Sequence, residues 1–142
     1  MRKVVKVFVR SGNFFVFAEK RAYSAAKNHR LELVGGGMNA GETPFEAMLR
    51  EAKEEEPSGI IAAALRAAAP EPDRVLVHGD VHYIYNVRIT LLQRRRLRHD
   101  PVESHGFRAV RVGVIRSRGR LSAILPSFTP RTVAIFHAIG LL

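Results

Sequence analysis

The sequence predicts an α/β sandwich, and three observations support that fold class. Runs rich in β-branched and aromatic residues occur near the start and in the middle of the chain, where they indicate strands. A helix-start signal lies between these runs, and a second one lies near the C-terminus. Mixed strands with a helix between them and a helix at the end are typical of a sheet covered by helices. With 142 residues, 46% of them hydrophobic, the chain is expected to form one domain over residues 1–142.

The N-terminal region predicts two strands joined by a turn. Residues 4–9 (VVKVFV) and 14–20 (FFVFAEK) are mostly apolar, and a polar, glycine-containing segment separates them. We therefore expect a hairpin-like opening. A third apolar run at residues 31–34 ends at the glycines 35–37. We expect it to form a short strand that leads into a glycine loop.

A helix is predicted directly after the glycines. Thr43 is placed to be its N-cap, Pro44 suits the first helical position, and Glu46 completes a capping box three residues after the cap. Apolar residues then recur with helical spacing at Phe45, Met48, Leu49 and Ala52. The segment 57–59 (PSG) is expected to end the helix.

The second half of the chain alternates further strand and helix signals. Residues 60–70 (IIAAALRAAAP) fit a buried strand followed by a loop or an alanine-rich helix, and we favour a strand at the start. Residues 74–92 predict two strands around Gly79 and Asp80. Residues 93–101 (QRRRLRHDP) predict an exposed basic connection. Another strand is expected over 110–115, and a C-terminal helix begins at Thr129 and Pro130.

Composition excludes several classes of protein. The chain has no cysteine, so disulfides and thiolate metal sites are excluded. No segment reaches the roughly 18 apolar residues needed to span a bilayer. The first residues alternate charged and apolar side chains, unlike a signal peptide. We therefore expect a cytoplasmic protein that does not enter a membrane.

Charge is distributed unevenly along the chain. Residues 42–56 hold six of the 13 acidic residues and two of the 23 basic ones, a local net charge of −4. The remainder carries 21 basic and 7 acidic residues, a net charge of +14. This asymmetry fits a nucleic-acid-binding surface, or a basic rim that attracts a phosphorylated ligand to a cation held by the acidic segment. An arginine-rich composition inherited from a GC-rich genome is the alternative.

Three glutamates of the predicted helix lie on one side of it. Glu51, Glu54 and Glu55 are related by i, i+3 and i+4, and such like-charge pairs each cost a few tenths of a kcal/mol. The helix dipole adds to this cost near the C-terminal end. A divalent cation such as Mg²⁺, which prefers oxygen ligands, would compensate. Arg50, four residues before Glu54, is placed for a supporting ion pair.

The segment GGMNAGETPFEAMLREAKEE, residues 36–55, resembles the Nudix box. That pattern is Gly, five residues, Glu, seven residues, Arg-Glu, an aliphatic residue, any residue, Glu-Glu, any residue, Gly and an aliphatic residue. Its glycine and its charged positions fall on Gly36, Glu42, Arg50, Glu51, Glu54 and Glu55. Such agreement at fixed spacing, in a loop followed by a helix, is specific.

The end of the pattern departs from the family. Its closing glycine and aliphatic residue fall on Pro57 and Ser58, while Gly59 and Ile60 follow two positions later. Ala52 is small where a bulkier aliphatic residue is common. These differences concern the end of the helix more than its carboxylates.

The resemblance implies a fold and a metal site. The fold is a Nudix-like α/β/α sandwich with a mixed β-sheet, a glycine loop followed by the catalytic helix, and a C-terminal helix. The site binds Mg²⁺ or Mn²⁺ through Glu54 and Glu55, with Glu51 as a third ligand or as the base that activates water. The backbone carbonyl of Gly35 is a further ligand.

The other box residues have supporting roles by the same resemblance. Glu42 and Arg50 orient the loop and the glutamates, and Gly36 is structural. The catalytic set implied by the box is therefore Glu51, Arg50 and Glu54. Outside the ligand set, we expect Glu46 to act only as a cap and Glu56 to be solvated.

Residues outside the box give weaker signals. Glu103 resembles the acidic residue of a late loop that supplies another metal ligand or the base in many family members, and an ordinary loop acid is the alternative. Arg94, Tyr83 and Phe107 are candidates for substrate binding, through phosphate contact or base stacking. A solvated basic loop and buried sheet aromatics are the alternatives for these three residues.

The resemblance implies a metal-dependent pyrophosphohydrolase. Its substrate would be a nucleoside di- or triphosphate or another nucleoside diphosphate derivative, with water attacking phosphorus. Two alternatives remain open from the residues: a nucleotide- or RNA-binding module with little turnover, and an enzyme that acts on the 5′ end of RNA. The second predicts binding that weakens steeply with salt. A homodimer is expected because many relatives form one.

Overall fold

A computed structural model describes residues 1–21, 28–68 and 70–140. The strands in these residues are β1 (Lys3–Ser11), β2 (Phe14–Lys20), β3 (Leu31–Glu32), β4 (Val34–Gly37), β5 (Arg74–His78), β6 (Asp80–Arg88) and β7 (Ser104–Arg111). The helices are α1 (Pro44–Glu55), α2 (Ile60–Ala67), α3 (Leu91–Arg95), α4 (Val112–Arg116), α5 (Arg118–Ile124) and α6 (Pro130–Ala138), with a 3-10 turn at Leu125–Ser127. None of the helices in this part of the chain is long and apolar enough to cross a membrane.

The strands form one mixed sheet with β1 at its centre. The order is β3-β2-β1-β6-β5, β4 pairs with β1, and β7 pairs with β2. Only the β1–β6 pairing is parallel among the described strands, and the others are antiparallel. The start of β1 is therefore flanked by the glycine strand β4, and its end by β2.

Helices cover both faces of this sheet. Val5, Val7 and Val9 of β1 point to the face that packs against α1 and α2. Phe8 lies between Val7 and Val9 in the strand, so it points to the other face of the sheet, where it packs in a second core with Phe136 of α6. The α/β/α sandwich and the mixed sheet predicted from the sequence are therefore confirmed.

The clearest local signals are also confirmed. The β1–β2 hairpin pairs Ser11 with Phe14, and Asp80 begins β6 directly after the β5 turn. Thr43 and Glu46 form the predicted capping box of α1, with both reciprocal hydrogen bonds present. At α6 the side chain of Thr129 accepts a hydrogen bond from the Thr132 amide. Each of these features depends on residues close in sequence.

The glycines were expected to lie in a loop after the strand, and that expectation is wrong. Residues 34–37 are strand β4, in which Gly35, Gly36 and Gly37 pair with β1. A Cβ on Gly35 would fall 2.0 Å from the carbonyl oxygen of Val5, and its φ is 141°. Glycine is therefore needed for this close strand pairing, and the loop begins only at Met38.

Three other assignments are corrected. Residues 60–67 are helix α2 rather than a strand, and the Glu56 carboxyl group accepts the amide of Ile60 at its start. Residues 112–116 form helix α4, because β7 pairs with β2 only as far as Arg111, opposite Phe14. The basic connection contains the short helix α3, begun by a second capping box of Thr90 and Gln93. That threonine and glutamine spacing is a signal in the sequence that predicts a helix start.

Candidate active site

The glutamates of α1 face the glycine strand β4. The carboxyl group of Glu51 lies so close to Gly36 that a Cβ there would fall 2.7 Å from it. Ala47 and Met48, one turn before Glu51, are buried together with Ala52 against the sheet. Small residues on the strand and an apolar stripe on the helix therefore bring a row of carboxyl groups against backbone.

Arg50 connects these glutamates. Its guanidinium donates to both oxygens of Glu42, at 2.7 and 2.9 Å, and to the carbonyl of Gly37 at 3.0 Å. It also contacts Glu51 at 3.0 Å and Glu54 at 3.2 Å. The hydrogen bond from Arg50 and the amide of Asn39 hold the pKa of Glu42 below its usual range. One guanidinium thus fixes the loop to the helix and offsets the repulsion between carboxylates.

Glu55 is the most deeply enclosed carboxyl group of the row. It is buried, and one oxygen accepts the backbone amide of Gly35 at 2.6 Å. Burial raises the pKa of Glu55 to about 8, while the charge of Lys6 and the Gly35 amide oppose this shift. Glu55 is therefore largely protonated at neutral pH unless a further positive charge approaches it.

The two neighbouring glutamates differ in environment. Glu51 is partly buried, and this desolvation raises its pKa, although its hydrogen bond with Arg50 opposes the shift and the charge of Glu54 supports it. Glu54 is exposed. Exposure to solvent therefore decreases along the row, from the exposed Glu54 through the partly buried Glu51 to the buried Glu55.

Lys6 is a buried cation that sequence reasoning did not single out. Its side chain is 1% exposed and donates to the carbonyls of Leu33 at 3.2 Å and Gly35 at 3.3 Å. It also pairs with Glu32 at 3.2 Å. Burial alone would raise the pKa of Glu32, but Lys6 and Lys20 outweigh it and hold the pKa below its ordinary value. A single lysine inside the apolar run VVKVFV was the available signal.

The donor groups of this site suit a hard divalent cation. Three carboxyl groups and the carbonyl of Gly35 supply only oxygen, the ligand type that Mg²⁺ and Mn²⁺ accept. In the described part of the chain, no three acidic or histidine side chains are gathered in ligand geometry. Glu51 and Glu54 instead accept hydrogen bonds from Arg50, and Glu55 accepts one from the Gly35 amide. Cation binding would require these side chains to exchange Arg50 and the amide for the metal.

Comparison with known proteins decides the family. The model of the NUDIX domain matches residues 1–118, most of the chain and all of the site described above. The chain belongs to the Nudix family. No curated protein sequence matches it. The family assignment makes it a hydrolase that acts on phosphorus-containing acid anhydrides.

Solved structures share the fold at low sequence identity. A NUDIX-family hydrolase from Clostridium perfringens is 17% identical, with a TM-score of 0.57 over 99% of this chain and 97% of that one. DR0079 from Deinococcus radiodurans is 19% identical, with a TM-score of 0.67 over 96% and 81%. A bifunctional NMN adenylyltransferase/ADP ribose pyrophosphatase from Francisella tularensis, complexed with AMP and a Mn ion, is 12% identical. Its TM-score is 0.64 over 96% of this chain and 40% of that one.

Glu103 lies close enough to α1 for the charge of Glu54 to affect its pKa. It is exposed, and its backbone amide donates to the carbonyl of Asp100 at 3.0 Å. Desolvation raises its pKa, and the charges of Glu54 and Asp100 add to the shift. The late-loop acid and the carboxylate row are therefore close enough to influence each other.

Glu56 is buried, so the expectation that it is solvated is wrong. Its carboxyl group accepts the amides of Ile60 at 2.7 Å and Arg98 at 3.0 Å. It also accepts the amide of Ser58 at 3.2 Å and the hydroxyl of the same residue. Glu56 thus joins the end of α1 to the start of α2 and to the segment that precedes Glu103. Only the folded chain brings Arg98 to this position.

The remaining candidates separate in space. Arg94 and Phe107 line one cavity of about 220 Å³, and the Arg94 guanidinium lies 4.7 Å from the ring centre of Phe14. Tyr83 lies elsewhere, in the middle of β6 between Val5 and Val75. The structure therefore brings two of the three candidates for substrate binding together and leaves the third apart.

Proposed function

We propose that this Nudix protein is a metal-dependent pyrophosphohydrolase. It cleaves the diphosphate linkage of a nucleoside di- or triphosphate or of another nucleoside diphosphate derivative, by attack of water on phosphorus. The observation that carries the proposal is the row of Glu51, Glu54 and Glu55 on α1, of which Glu51 and Glu55 lie against the glycine strand. These oxygen donors on one helical face form a setting for a cation and a phosphate.

In this proposal Mg²⁺ or Mn²⁺ is held by Glu54 and Glu55, with Glu51 and the carbonyl of Gly35 as further donors. A cation bound there would neutralise phosphate charge and supply an activated water. Lys6 holds the Gly35 carbonyl in place, because its ammonium group donates to that oxygen.

Two residues are suited to accept the proton of the attacking water. The pKa values of Glu51 and Glu103 are both raised by desolvation, which brings a carboxylate closer to the range of an effective base at neutral pH. Glu51 is a box residue on the helix, and Glu103 approaches from the late loop. Arg50 and Glu42 orient the row, because they link the loop to the helix through two hydrogen bonds.

The test is phosphate release over a panel of nucleotides. Nucleoside di- and triphosphates, nucleotide sugars, ADP-ribose and dinucleotides are incubated with Mg²⁺, Mn²⁺ or EDTA, and inorganic pyrophosphatase and phosphatase reveal the product. We expect turnover only with metal. Glu54→Gln and Glu55→Gln should each lower kcat by more than about a hundredfold. Mutation of a residue that only hydrogen-bonds to a metal ligand already lowers activity by up to about a hundredfold.

Glu46→Gln is the matched control, because it lies on the same helix and glutamine preserves a capping box. It should keep normal turnover. Full metal-dependent turnover in folded Glu54→Gln and Glu55→Gln variants would contradict the assignment of these ligands. Absence of turnover over the whole panel, with tight nucleotide binding, would favour a binding module instead.

A further inference from the structure

One face of the sheet carries arginines beyond its apolar core. In the register of β1 with its neighbours, Phe8 lies opposite Asn86, and Arg10 lies opposite both Arg88 and Phe15. Side chains alternate along a strand, so Arg10 shares the face of Phe8, which belongs to the core under α6. The sheet therefore continues from an apolar core to a basic surface on the same face.

Residues of other elements extend this surface into a groove. Arg74 of β5 pairs with Ile84 and points to the same face, and Arg116 of α4 approaches from the helical layer. Cavities of about 270 and 380 Å³ share Phe15, Asn86 and Arg116, so they are adjacent. We name this the arginine groove, lined by Arg10, Arg74, Arg88, Arg116, Asn86 and Phe15.

The arginines of the groove form no ion pair in the described ranges, and the nearby Asp73 accepts the backbone amide of Asn86 at 2.7 Å. No acidic residue of these ranges lines either cavity, and residues 81–99 and 104–142 contain no aspartate or glutamate. Arg10 and Arg88 lie directly opposite each other, an arrangement that destabilises a sheet. An anionic partner would offset this repulsion.

The groove lies away from the carboxylate row. Arg10 is four residues beyond Lys6 on β1, which corresponds to about 13 Å along an extended strand. Lys6 contacts the glycine strand, whereas Arg10 contacts the carbonyl of Gly12 at the hairpin. A ligand in the groove would therefore not occupy the position of the proposed cation.

The shape and chemistry of the groove select one class of partner. Guanidinium groups recognise phosphate with paired hydrogen bonds, and the half-buried ring of Phe15 offers apolar surface beside them. A third cavity, of about 440 Å³, shares Arg10 and Arg116 and adds Arg111 and Arg120, so the basic surface extends beyond the groove. Single-stranded nucleic acid offers phosphates to the arginines and an unpaired base to the ring of Phe15.

We propose that the arginine groove binds the backbone of single-stranded nucleic acid, independently of the carboxylate row. This interaction does not depend on the proposed hydrolysis. It gives the protein a second binding surface at the opposite end of β1. With four arginines engaged, the slope of log K against log salt should be about −3.

The experiment measures binding by fluorescence anisotropy. Labelled single-stranded RNA and DNA of about 12 nucleotides are titrated with the full chain in EDTA, at several salt concentrations. Arg116→Gln should weaken binding about fivefold at roughly 0.1 M salt and reduce the slope by about 0.7. Arg116→Lys should retain the slope because it keeps the charge. Arg66→Gln, an exposed arginine of α2 outside the groove, is the matched control and should bind normally.

Two further titrations separate the groove from the carboxylate row and from a general affinity for anions. The Glu54→Gln variant should bind the single-stranded RNA and DNA as tightly as the wild type does, whether or not it hydrolyses nucleotides. The absence of binding to RNA and DNA at low salt would overturn the proposal, as would equal losses in Arg66→Gln and Arg116→Gln. Tighter binding of poly-glutamate than of either nucleic acid would also overturn it, in favour of an acidic protein partner.

Discussion

At the scale of single residues, Glu55 is the side chain whose charge depends most on its surroundings. Its carboxyl group is buried, its pKa is raised to about 8, and its hydrogen bond comes from the Gly35 amide. Lys6, the nearest buried cation, is held by two carbonyls and by Glu32. Its charge is therefore shared, and it does not fully compensate an ionised Glu55. A divalent cation would complete the neutralisation.

This environment predicts that stability falls as pH rises. Between the unfolded pKa of 4.5 and the folded value of about 8, the native state holds a proton on Glu55 that the unfolded state has lost. Stability from this group is thus complete below pH 4.5 and is lost by about pH 8. Between about pH 6.5 and 8 the free energy of unfolding should fall by about 1–2 kcal/mol in EDTA.

The measurement is urea denaturation of the wild type and Glu55→Gln across that range. The variant should show a clearly smaller decline, because only the raised pKa values of Glu51 and Glu103 then act in the same direction among the described carboxyl groups. Glu32 and Glu19, whose pKa values are lowered, affect stability only under more acidic conditions and do not disturb this window. The lowered pKa of His82 gives an opposite slope that ends near its unfolded value of 6.5. An equal decline in both proteins would contradict the role of Glu55.

At the scale of elements, the end of α1 is joined to two other segments by one carboxyl group. The first turn of α2 and the segment before Glu103 both donate backbone amides to Glu56. Pro57 and Gly59, where the box departs from its family pattern, form the turn around that group. Because Gly59 has a φ of 85°, the chain reverses there and presents the amide of Ile60 to Glu56. The turn and Glu56 together form a junction that anchors the end of α1.

Removal of this junction should loosen the late loop. Glu56→Ala leaves the amides of Ile60 and Arg98 without their acceptor. Both hydrogen bonds are only partly buried, so the loss of each should cost about 1 kcal/mol. We expect a total loss of about 1–3 kcal/mol and faster hydrogen exchange at Arg98. Glu56→Gln keeps one carbonyl acceptor and should lose less.

The control is Glu46→Ala, which removes an exposed cap of the same helix and should cost about 1 kcal/mol at most without affecting Arg98. Chemical denaturation gives the stability, and exchange mass spectrometry gives the protection of residues 97–103. Unchanged protection in Glu56→Ala would show that the loop is held by other contacts.

At the scale of the whole molecule, β1 connects the two functional surfaces. Its first half pairs with the glycine strand beside the carboxylate row, and its end carries Arg10 in the arginine groove. The apolar residues between them fill both cores. An acidic and a basic surface can therefore coexist on a small domain, because about 13 Å of β1 separates Lys6, beside the carboxylate row, from Arg10 in the groove.

The proposed cation should stabilise the folded chain as a whole. Binding to the native state alone adds about 2.7 kcal/mol when Mg²⁺ or Mn²⁺ is present at about one hundred times its Kd. For a domain of this size, that corresponds to a rise in Tm on the order of 10 °C. The thermal melt is measured with metal and with EDTA.

The double variant Glu54→Gln/Glu55→Gln should lose this rise, whereas Glu46→Gln should retain it. A rise of equal size in the double variant would place the bound cation elsewhere on the molecule. This readout requires no substrate, so it separates metal binding from turnover.

Local features could be predicted from the sequence because neighbouring residues decide them. The capping box of Thr43 and Glu46, the hairpin before Phe14 and the start of α6 at Pro130 each depend on a few adjacent residues. The alanine-rich segment of α2 carried no such decisive signal, and its helix depends on the packing of Ile61 against the sheet. The glycine strand was also missed, since its pairing with β1 is not visible in either segment alone.

The sequence by itself determined the family, the carboxylate helix and the layered α/β fold. Fixed spacing and helical periodicity place Glu51, Glu54 and Glu55 together without knowledge of any other element. Only the tertiary structure decided that Lys6 and Glu56 are buried, and that Arg10, Arg74, Arg88 and Arg116 meet in one groove. The physical reason is that burial and charge clustering depend on contacts between residues far apart in the chain. A local pattern fixes which side of an element a residue occupies, and the folded chain fixes what lies opposite it.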